Sequence, residues 1–284
     1  RAFRQHLSIY LGGYLSQDIF NTAFPIFVAT VLLGATAVIS QLMTLMYVAQ
    51  LISVIIAIQV VIKTGPTVAY RIAIGFVIVS LLLYLGFYLS QPEGFASGLS
   101  ALDGNLLAAF SQSNFGLIFW LFVPIILAGL GRGTLNFVPW SVYNYLPDVD
   151  EAVTAQRREG IFAGVMTFTR KAAQSAALVA TGWVIDAGGY ISPSSLPAGS
   201  VVTQTPEAIN TIVAVMVGGP ILMMLLGAWI SWSFKLNAKT HAVLVHEIER
   251  LRAGETQPES EESRQIVENL TGWKYDSLWG RGRK

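Results

Sequence analysis

The sequence lacks cysteine altogether and contains few histidines. The absence of cysteine excludes disulfide bridges and cysteine-ligated metal centres. The three histidines are too scattered to predict a metal site, and we expect His241 and His246 to be solvated. Nor does the sequence show a nucleophile–base pair, a phosphate loop or a metal-binding cluster, so no enzyme, resident metal or cofactor is predicted.

Charged residues are also scarce. Only 12% of the 284 residues are charged, whereas a soluble domain has about 25%. The formal net charge is +1, and no basic patch is interleaved with aromatic residues, so nothing indicates nucleic-acid binding. Hydrophobic residues make up 53% of the chain and are concentrated in long blocks, which is typical of an integral membrane protein.

Six of these blocks reach the length of about 20 mostly apolar residues that a bilayer-spanning helix needs. We therefore predict an all-α membrane protein, with a six-helix bundle at 1–234 and a cytoplasmic tail at 235–284. The predicted spans are 7–33, 38–62, 69–89, 117–145, 161–185 and 208–234.

The distribution of Lys and Arg predicts the orientation of the bundle. Basic residues precede the first span, occupy the second and fourth connections and recur in the tail, whereas the connections at 34–37, 90–116 and 186–207 contain none. By the positive-inside rule, both termini are cytoplasmic. We expect the external connections to be solvated. The tail should form an amphipathic helix at Ala242–Leu251, against the cytoplasmic face or the membrane surface, followed by a flexible linker at 255–263.

Polar residues inside the predicted spans are the candidate functional residues. Tyr14, Asp18 and Asn21 share one face of the first span, because their spacings are four and three. Asp18 is the only acidic residue deep in a predicted span. Such residues usually face a cavity or a partner charge, so Asp18 either serves function or ties helices together.

The fourth span carries Asn136, Trp140 and Tyr143 on one face, in line with Arg132 in a glycine cluster. The ring of Trp140 suits the C–H face of a sugar, and Asn136 and Tyr143 add hydrogen-bonding groups. Packing within the bundle is the alternative interpretation of Trp140.

The fifth span contains two adjacent positive charges, Arg170 and Lys171. They lie about 100° apart on a helix and cannot point in the same direction. Lys171 is grouped with Thr167 and Gln174 on a polar face, so it is the predicted cavity residue. Arg170 is expected to pair elsewhere or to extend to the membrane surface.

Three segments and the end of the chain carry a family signature. They read LPDVDE at 146–151, QRREGI at 156–161, FTRKAAQ at 168–174 and LTGW at 270–273. Together they resemble the glycoside–pentoside–hexuronide:cation symporters, the melibiose-carrier-like branch of the major facilitator superfamily. The resemblance covers essentially the whole chain, which would form spans seven to twelve of a twelve-helix fold, with three plus three inverted repeats.

The resemblance implies a sodium- or proton-coupled importer of a sugar or glycoside that works by alternating access in a bacterial cytoplasmic membrane. The chain begins without Met, and we expect it to be cut from a longer protein whose first six spans hold most of the coupling-ion ligands. That N-terminal half, the lipid bilayer and a small sugar are the implied partners. A major facilitator carrier of lipid-like or other organic solutes, or a transport-inactive scaffold, stays open as an alternative.

The resemblance also implies roles for individual residues. Lys171 matches the lysine of span eleven that lies beside the sugar and cation sites in melibiose carriers, and Trp140 matches the cavity tryptophan of span ten. In the same family the fourth cytoplasmic loop forms a gate, in which charge pairs hold the two halves together. The corresponding charges here are Asp148, Asp150, Arg157 and Arg158, and a solvated loop is the alternative.

Overall fold

The computed structural model describes residues 1–193 and 203–281, and all regular secondary structure in these residues is helical. Most of the predicted external loop at 192–200 lies outside the described residues. Within this described part of the chain, eleven α-helices are followed by a short 3₁₀ turn at Tyr275–Ser277. They are α1 (Ala2–Thr30), α2 (Thr36–Thr64), α3 (Pro66–Ser90), α4 (Phe95–Ser100), α5 (Ala108–Ser111), α6 (Phe115–Tyr143), α7 (Leu146–Thr154), α8 (Glu159–Ala187), α9 (Pro206–Trp232), α10 (Ala238–Arg252) and α11 (Glu261–Thr271).

Four helical segments of the described chain are long and apolar enough to cross a membrane. They are α2, α3, α9 and the segment Phe115–Thr154, which joins α6 to α7. The two other long helices, α1 and α8, carry the charged residues Asp18, Arg170 and Lys171. The charged residues that single these helices out as functional candidates also make them less apolar than their neighbours.

Helix α6 packs closely against both α2 and α3, and its glycines permit the approach. A Cβ atom at Gly129 would lie 2.7 Å from the Ala49 side chain of α2, and one at Gly131 would lie 2.6 Å from the Ala73 carbonyl oxygen of α3. Neither separation is sterically tolerable. The glycine cluster therefore brings α2, α3 and α6 together.

Helix α1 packs against α9 on one side and against α8 on another. It also contacts α6, so α1 lies between the two elements that carry the remaining polar residues. Much of α8 stays exposed, with Phe168 76% and Trp183 74% accessible. The described residues therefore leave a large face of α8 uncovered.

The connection between α3 and α6 is packed, so the expectation that it is solvated was wrong. Its apolar side chains Phe95, Leu99, Leu102 and Leu106 are buried. Gln41 of α2 fixes this segment by accepting a hydrogen bond from the Leu106 amide at 3.0 Å. These apolar residues are dispersed among Gly and Ser, so the overall composition of the segment did not indicate that it packs.

The tail forms a small helical layer on α7. Helix α10 includes the predicted amphipathic segment and buries Leu244, Ile248 and Leu251, while α11 buries Val267 and Leu270. Both helices contact α7. The expected flexible linker at 255–263 was wrong, because α11 begins within it and the Glu259 amide donates to the Glu247 carboxylate at 3.1 Å.

Candidate functional site

A buried ion pair joins α1 to α8. The Arg170 guanidinium lies 2.7 and 2.9 Å from the two carboxylate oxygens of Asp18. The side chains are 13% and 7% exposed. Gln174, one helical turn after Arg170, donates to the same carboxylate at 3.2 Å. Asp18 thus has a cation and an amide donor, both supplied by α8.

Aromatic side chains continue from this ion pair towards α6. The Arg170 guanidinium lies 4.8 Å from the centre of the Tyr14 ring, a cation–π distance. The Tyr14 hydroxyl accepts a hydrogen bond from the Trp140 indole at 3.1 Å. Trp140 lies 5.6 Å from the ring of Tyr143, and it stays 44% exposed. The contacts orient the indole and leave part of its surface free.

A second buried cation, Arg132, lies between α6 and α1. It is 3% exposed and donates one hydrogen bond, to the Asn21 side chain at 2.9 Å. Its guanidinium also lies 5.2 Å from the Phe20 ring. Its Nε and Nη1 atoms have no hydrogen-bond partner among the described residues. One helical turn along α6, Asn136 accepts from the Gln17 amide at 2.9 Å.

Lys171 differs from Arg170 both in its exposure to solvent and in its lack of a partner among the described residues. Its side chain is exposed, and its ammonium group makes no ion pair or hydrogen bond with the described residues. Thr167, one turn earlier, is exposed as well. Gln174, which the sequence grouped with these two residues, instead bonds to Asp18 beside Arg170. The grouping was wrong for Gln174, because a spacing of four from Arg170 aligns two side chains better than a spacing of three from Lys171.

The charged segment at 148–159 is largely helical and fully paired within this chain. Arg157 lies 2.8 Å from Asp148, and Arg158 makes two bonds of 2.7 and 2.8 Å to Asp150. A hydrogen bond to Glu159, reinforced by the Asp148 charge, raises the pKa of Arg157. Tyr143 is drawn to the same place, because its hydroxyl donates to the Glu159 carbonyl at 3.1 Å.

The tail supplies further partners for α7. His241 of α10 lies 2.7 Å from Asp148 and stacks on Tyr145 at 4.1 Å, so the expectation that it is solvated was wrong. Arg252 pairs with the buried carboxylate of Glu151. Near the end of the chain, the Trp279 amide donates to the Ala152 carbonyl at 2.8 Å. We call this set of contacts, His241–Asp148, Arg252–Glu151 and Trp279–Ala152, the α7–tail clasp.

The structure brings most of the predicted site residues into two groups. The first joins α1, α6 and α8, and the second joins α7 to the start of α8. Sequence reasoning missed Gln17 and His241, and it did not pair Arg170 with Asp18. Glu151, an acid of the same loop, follows Asp148 by three residues, which places both acids on one helical face. The predicted residues of the first group are Tyr14, Asp18, Asn21, Asn136, Trp140, Tyr143 and Gln174, and those of the second are Asp148, Asp150, Arg157 and Arg158.

Long apolar helices are typical of integral membrane proteins, and buried charges among them often mark ion or substrate pathways. The profile of the MFS/sugar transport protein family matches residues 1–238, which is most of the chain. The chain therefore belongs to this family, as the resemblance predicted, and the family consists of transporters rather than enzymes.

Two curated relatives agree with this membership. The chain is 28% identical over 141 residues to a glucuronide carrier protein homolog of Escherichia coli (strain K12), covering 47% of this chain and 29% of the relative. It is 26% identical over 126 residues to an uncharacterized symporter of Synechocystis sp., covering 44% of this chain and 23% of the relative. The matches therefore span less than a third of either relative's length.

Proposed function

We propose that this chain is the C-terminal half of a symporter that couples a sodium or proton gradient to the uptake of a sugar or glycoside by alternating access. Family membership and the relatives' names, a symporter and a glucuronide carrier, support this proposal. In it, all six long helices cross the membrane as spans seven to twelve, α1 and α8 included. Both termini are cytoplasmic, in a bacterial cytoplasmic membrane.

The observation that carries the proposal is the unpaired ammonium of Lys171 in the middle of α8. A charged side chain at a bilayer centre costs about 2.5–3.5 kcal/mol on insertion scales, so it is tolerated where water, an acid or a ligand reaches it. The described residues supply no partner for it and leave this face of α8 open. Lys171 therefore suits a contact with the transported solute, or with the coupling-ion acids of the N-terminal half.

Arg170 has a different role in this proposal. Its charge is already neutralised by Asp18, and Gln174 completes the hydrogen bonding of that carboxylate. The pair fixes α8 against α1 and so sets the direction in which Lys171 points. Asp18 is thereby a positioning residue. Asn21 likewise orients Arg132, by accepting a hydrogen bond from its guanidinium.

In this proposal, the sugar is contacted by Trp140 and the tyrosines that surround it. The indole is held by the Tyr14 hydroxyl and still has 44% of its surface exposed. An aromatic face of this kind stacks on the C–H surface of a pyranose ring, while hydroxyls of tyrosines supply polar contacts. A carrier of lipid-like solutes would instead need a lining without these polar groups.

The charges on α7 form the proposed cytoplasmic gate. In this half they pair with one another and with the tail, which keeps α7 in one position. Opening and closing would then exchange the more exposed pairs, such as Arg157–Asp148, for pairs with the N-terminal half. The bidentate Arg158–Asp150 pair would stay with this half, because two aligned bonds resist separation better than one.

Uptake by the full-length protein in proteoliposomes tests the proposal. Sodium and proton gradients are imposed separately, and accumulation of a labelled glucuronide and of a labelled neutral glycoside is followed. We expect concentrative uptake of one of these sugars under one of the gradients, inhibited by an excess of the unlabelled sugar. Uptake that ignores both gradients would overturn the symport, and inhibition by lysolipids but not by sugars would favour the lipid-carrier alternative.

A further inference from the structure

A cavity of about 510 Å³ lies at the end of the bundle where the tail begins. Three parts of the chain enclose it: the turn between α2 and α3, the last turn of α6 with the residues that follow it, and the first turn of α10. Two lysines, Lys63 and Lys239, line it from opposite ends of the sequence. None of the other lining residues is acidic.

Both lysines are exposed, and neither ammonium group pairs with an acid or an acceptor among the described residues. Two helices also begin at this cavity, α3 at Pro66 and α10 at Ala238. The C-terminal ends of α2 and α6 lie at the same cavity, so the helix dipoles largely offset one another and the lysines supply its positive charge. Asn237, which caps α10, lines the cavity too and supplies polar side-chain atoms. The cavity is therefore complementary to an anion with several oxygen atoms.

An exposed apolar stripe runs along α2 up to the rim of this cavity. It consists of Leu51, Ile55, Ile58 and Ile62, which are 70%, 69%, 38% and 73% exposed. Their spacings of four, three and four place them on one helical face. Ile62 also lines the cavity, so the stripe and the positive charge meet there. A soluble anion would use only the charged end of this surface.

We propose that the cavity binds an anionic phospholipid, with its phosphate between Lys63 and Lys239 and an acyl chain along the α2 stripe. Basic pockets between helices on the cytoplasmic side suit such head groups, and anionic lipids are enriched in that leaflet. The site rests on the proposed orientation of the bundle, which puts this end on the cytoplasmic side of the membrane. It is independent of the proposed transport reaction, and a transporter of another solute would bind the lipid equally well.

Native mass spectrometry of the full-length transporter tests this site. The purified protein is incubated with an equimolar mixture of phosphatidylglycerol and phosphatidylcholine that have identical acyl chains. We expect the wild-type protein to retain phosphatidylglycerol preferentially. The double variant Lys63→Gln/Lys239→Gln should bind it about 30-fold more weakly, because each lysine near the membrane surface contributes roughly a factor of five.

The matched control is Lys235→Gln/Lys274→Gln, which removes the same charge from the tail outside the cavity. It should bind phosphatidylglycerol as the wild type does, and thermal unfolding should show that both double variants are folded. Millimolar inorganic phosphate should leave the lipid in place. Equal binding by the two double variants would overturn the proposal, and so would full displacement by phosphate or an absence of preference in the wild type.

Discussion

Two charged regions of this protein both contain acid–base pairs, but the pairs differ in how far their side chains are exposed to solvent. In the Asp18–Arg170 pair both side chains are buried, at 7% and 13% exposure. In the Arg252–Glu151 pair of the α7–tail clasp the acid is buried, at 7% exposure, and the base is solvated, at 53%. A buried charge that loses its partner cannot be rescued by water, whereas a solvated arginine can. The first region should therefore be costly to break, and the second should be adjustable.

The largest effect is expected for Asp18→Asn. This change leaves the Arg170 guanidinium buried beside a neutral amide, and breaking a buried pair from one side costs about 3–5 kcal/mol. We expect a large fall in the thermal unfolding midpoint of the full-length protein in detergent and a low folded yield. The double change Asp18→Asn/Arg170→Met should recover much of the loss, because it removes both charges.

The control for Asp18 is Asp186→Asn, which neutralises an exposed acid near the end of α8. It should leave the unfolding midpoint almost unchanged. An Asp18→Asn protein as stable as this control would remove the contrast between the two regions.

A smaller effect is expected for Glu151→Gln in the α7–tail clasp. The change weakens the contact to Arg252, and we expect a loss of about 1 kcal/mol because the arginine is more than half solvated. Limited proteolysis measures it well, since release of α10 should expose the tail to cleavage. Glu262→Gln, an exposed acid in the first turn of α11, is the control. Equal cleavage of the two variants would show that Glu151 does not hold the tail.

The smallest effect concerns acid sensitivity of the tail. The amide of Tyr275 donates to Glu268 at 2.8 Å, and together with Arg264 it holds the pKa of Glu268 below its ordinary value. A carboxyl whose pKa is lowered on folding contributes stability above its ordinary pKa, and this contribution is lost as the pH falls through the folded value.

Glu268→Gln should therefore reduce the stability of the tail at neutral pH and flatten its decline in acid, as measured by proteolysis across a pH series. Glu249→Gln, an exposed acid on α10, is the control. Parallel pH profiles for the wild type and Glu268→Gln would contradict the assignment.

Sequence periodicity predicted which residues share a helical face, but it did not predict which residues pair between helices. It placed Tyr14, Asp18 and Asn21 on one side of a helix, and the structure puts all three in the polar network between α1, α6 and α8. It did not pair Asp18 with Arg170, which lies 152 residues away. Such a pairing depends on how helices pack, and helical spacing carries no information about that.

The same limit explains the errors outside the bundle. His241 reaches Asp148 across 93 residues, and Arg252 reaches Glu151 across 101. The apolar face of α10 was predicted, but α7 and α11, read locally, look like polar segments that water would solvate. Their apolar faces become apparent only when the two are placed together, because each face is short. The packed connection between α3 and α6 was missed for the same reason.

The contrast between the adjacent residues Arg170 and Lys171 tests the central claim most directly. Gradient-driven sugar uptake in proteoliposomes and the thermal unfolding midpoint are measured together for Lys171→Gln and Arg170→Gln in the full-length protein. Lys171→Gln should abolish coupled uptake at an unchanged midpoint, because its ammonium has no partner among the residues that the structure describes. Arg170→Gln should lower the midpoint, because it strands Asp18. Coupled uptake at the wild-type rate in Lys171→Gln would contradict the claim that this lysine is the free functional charge.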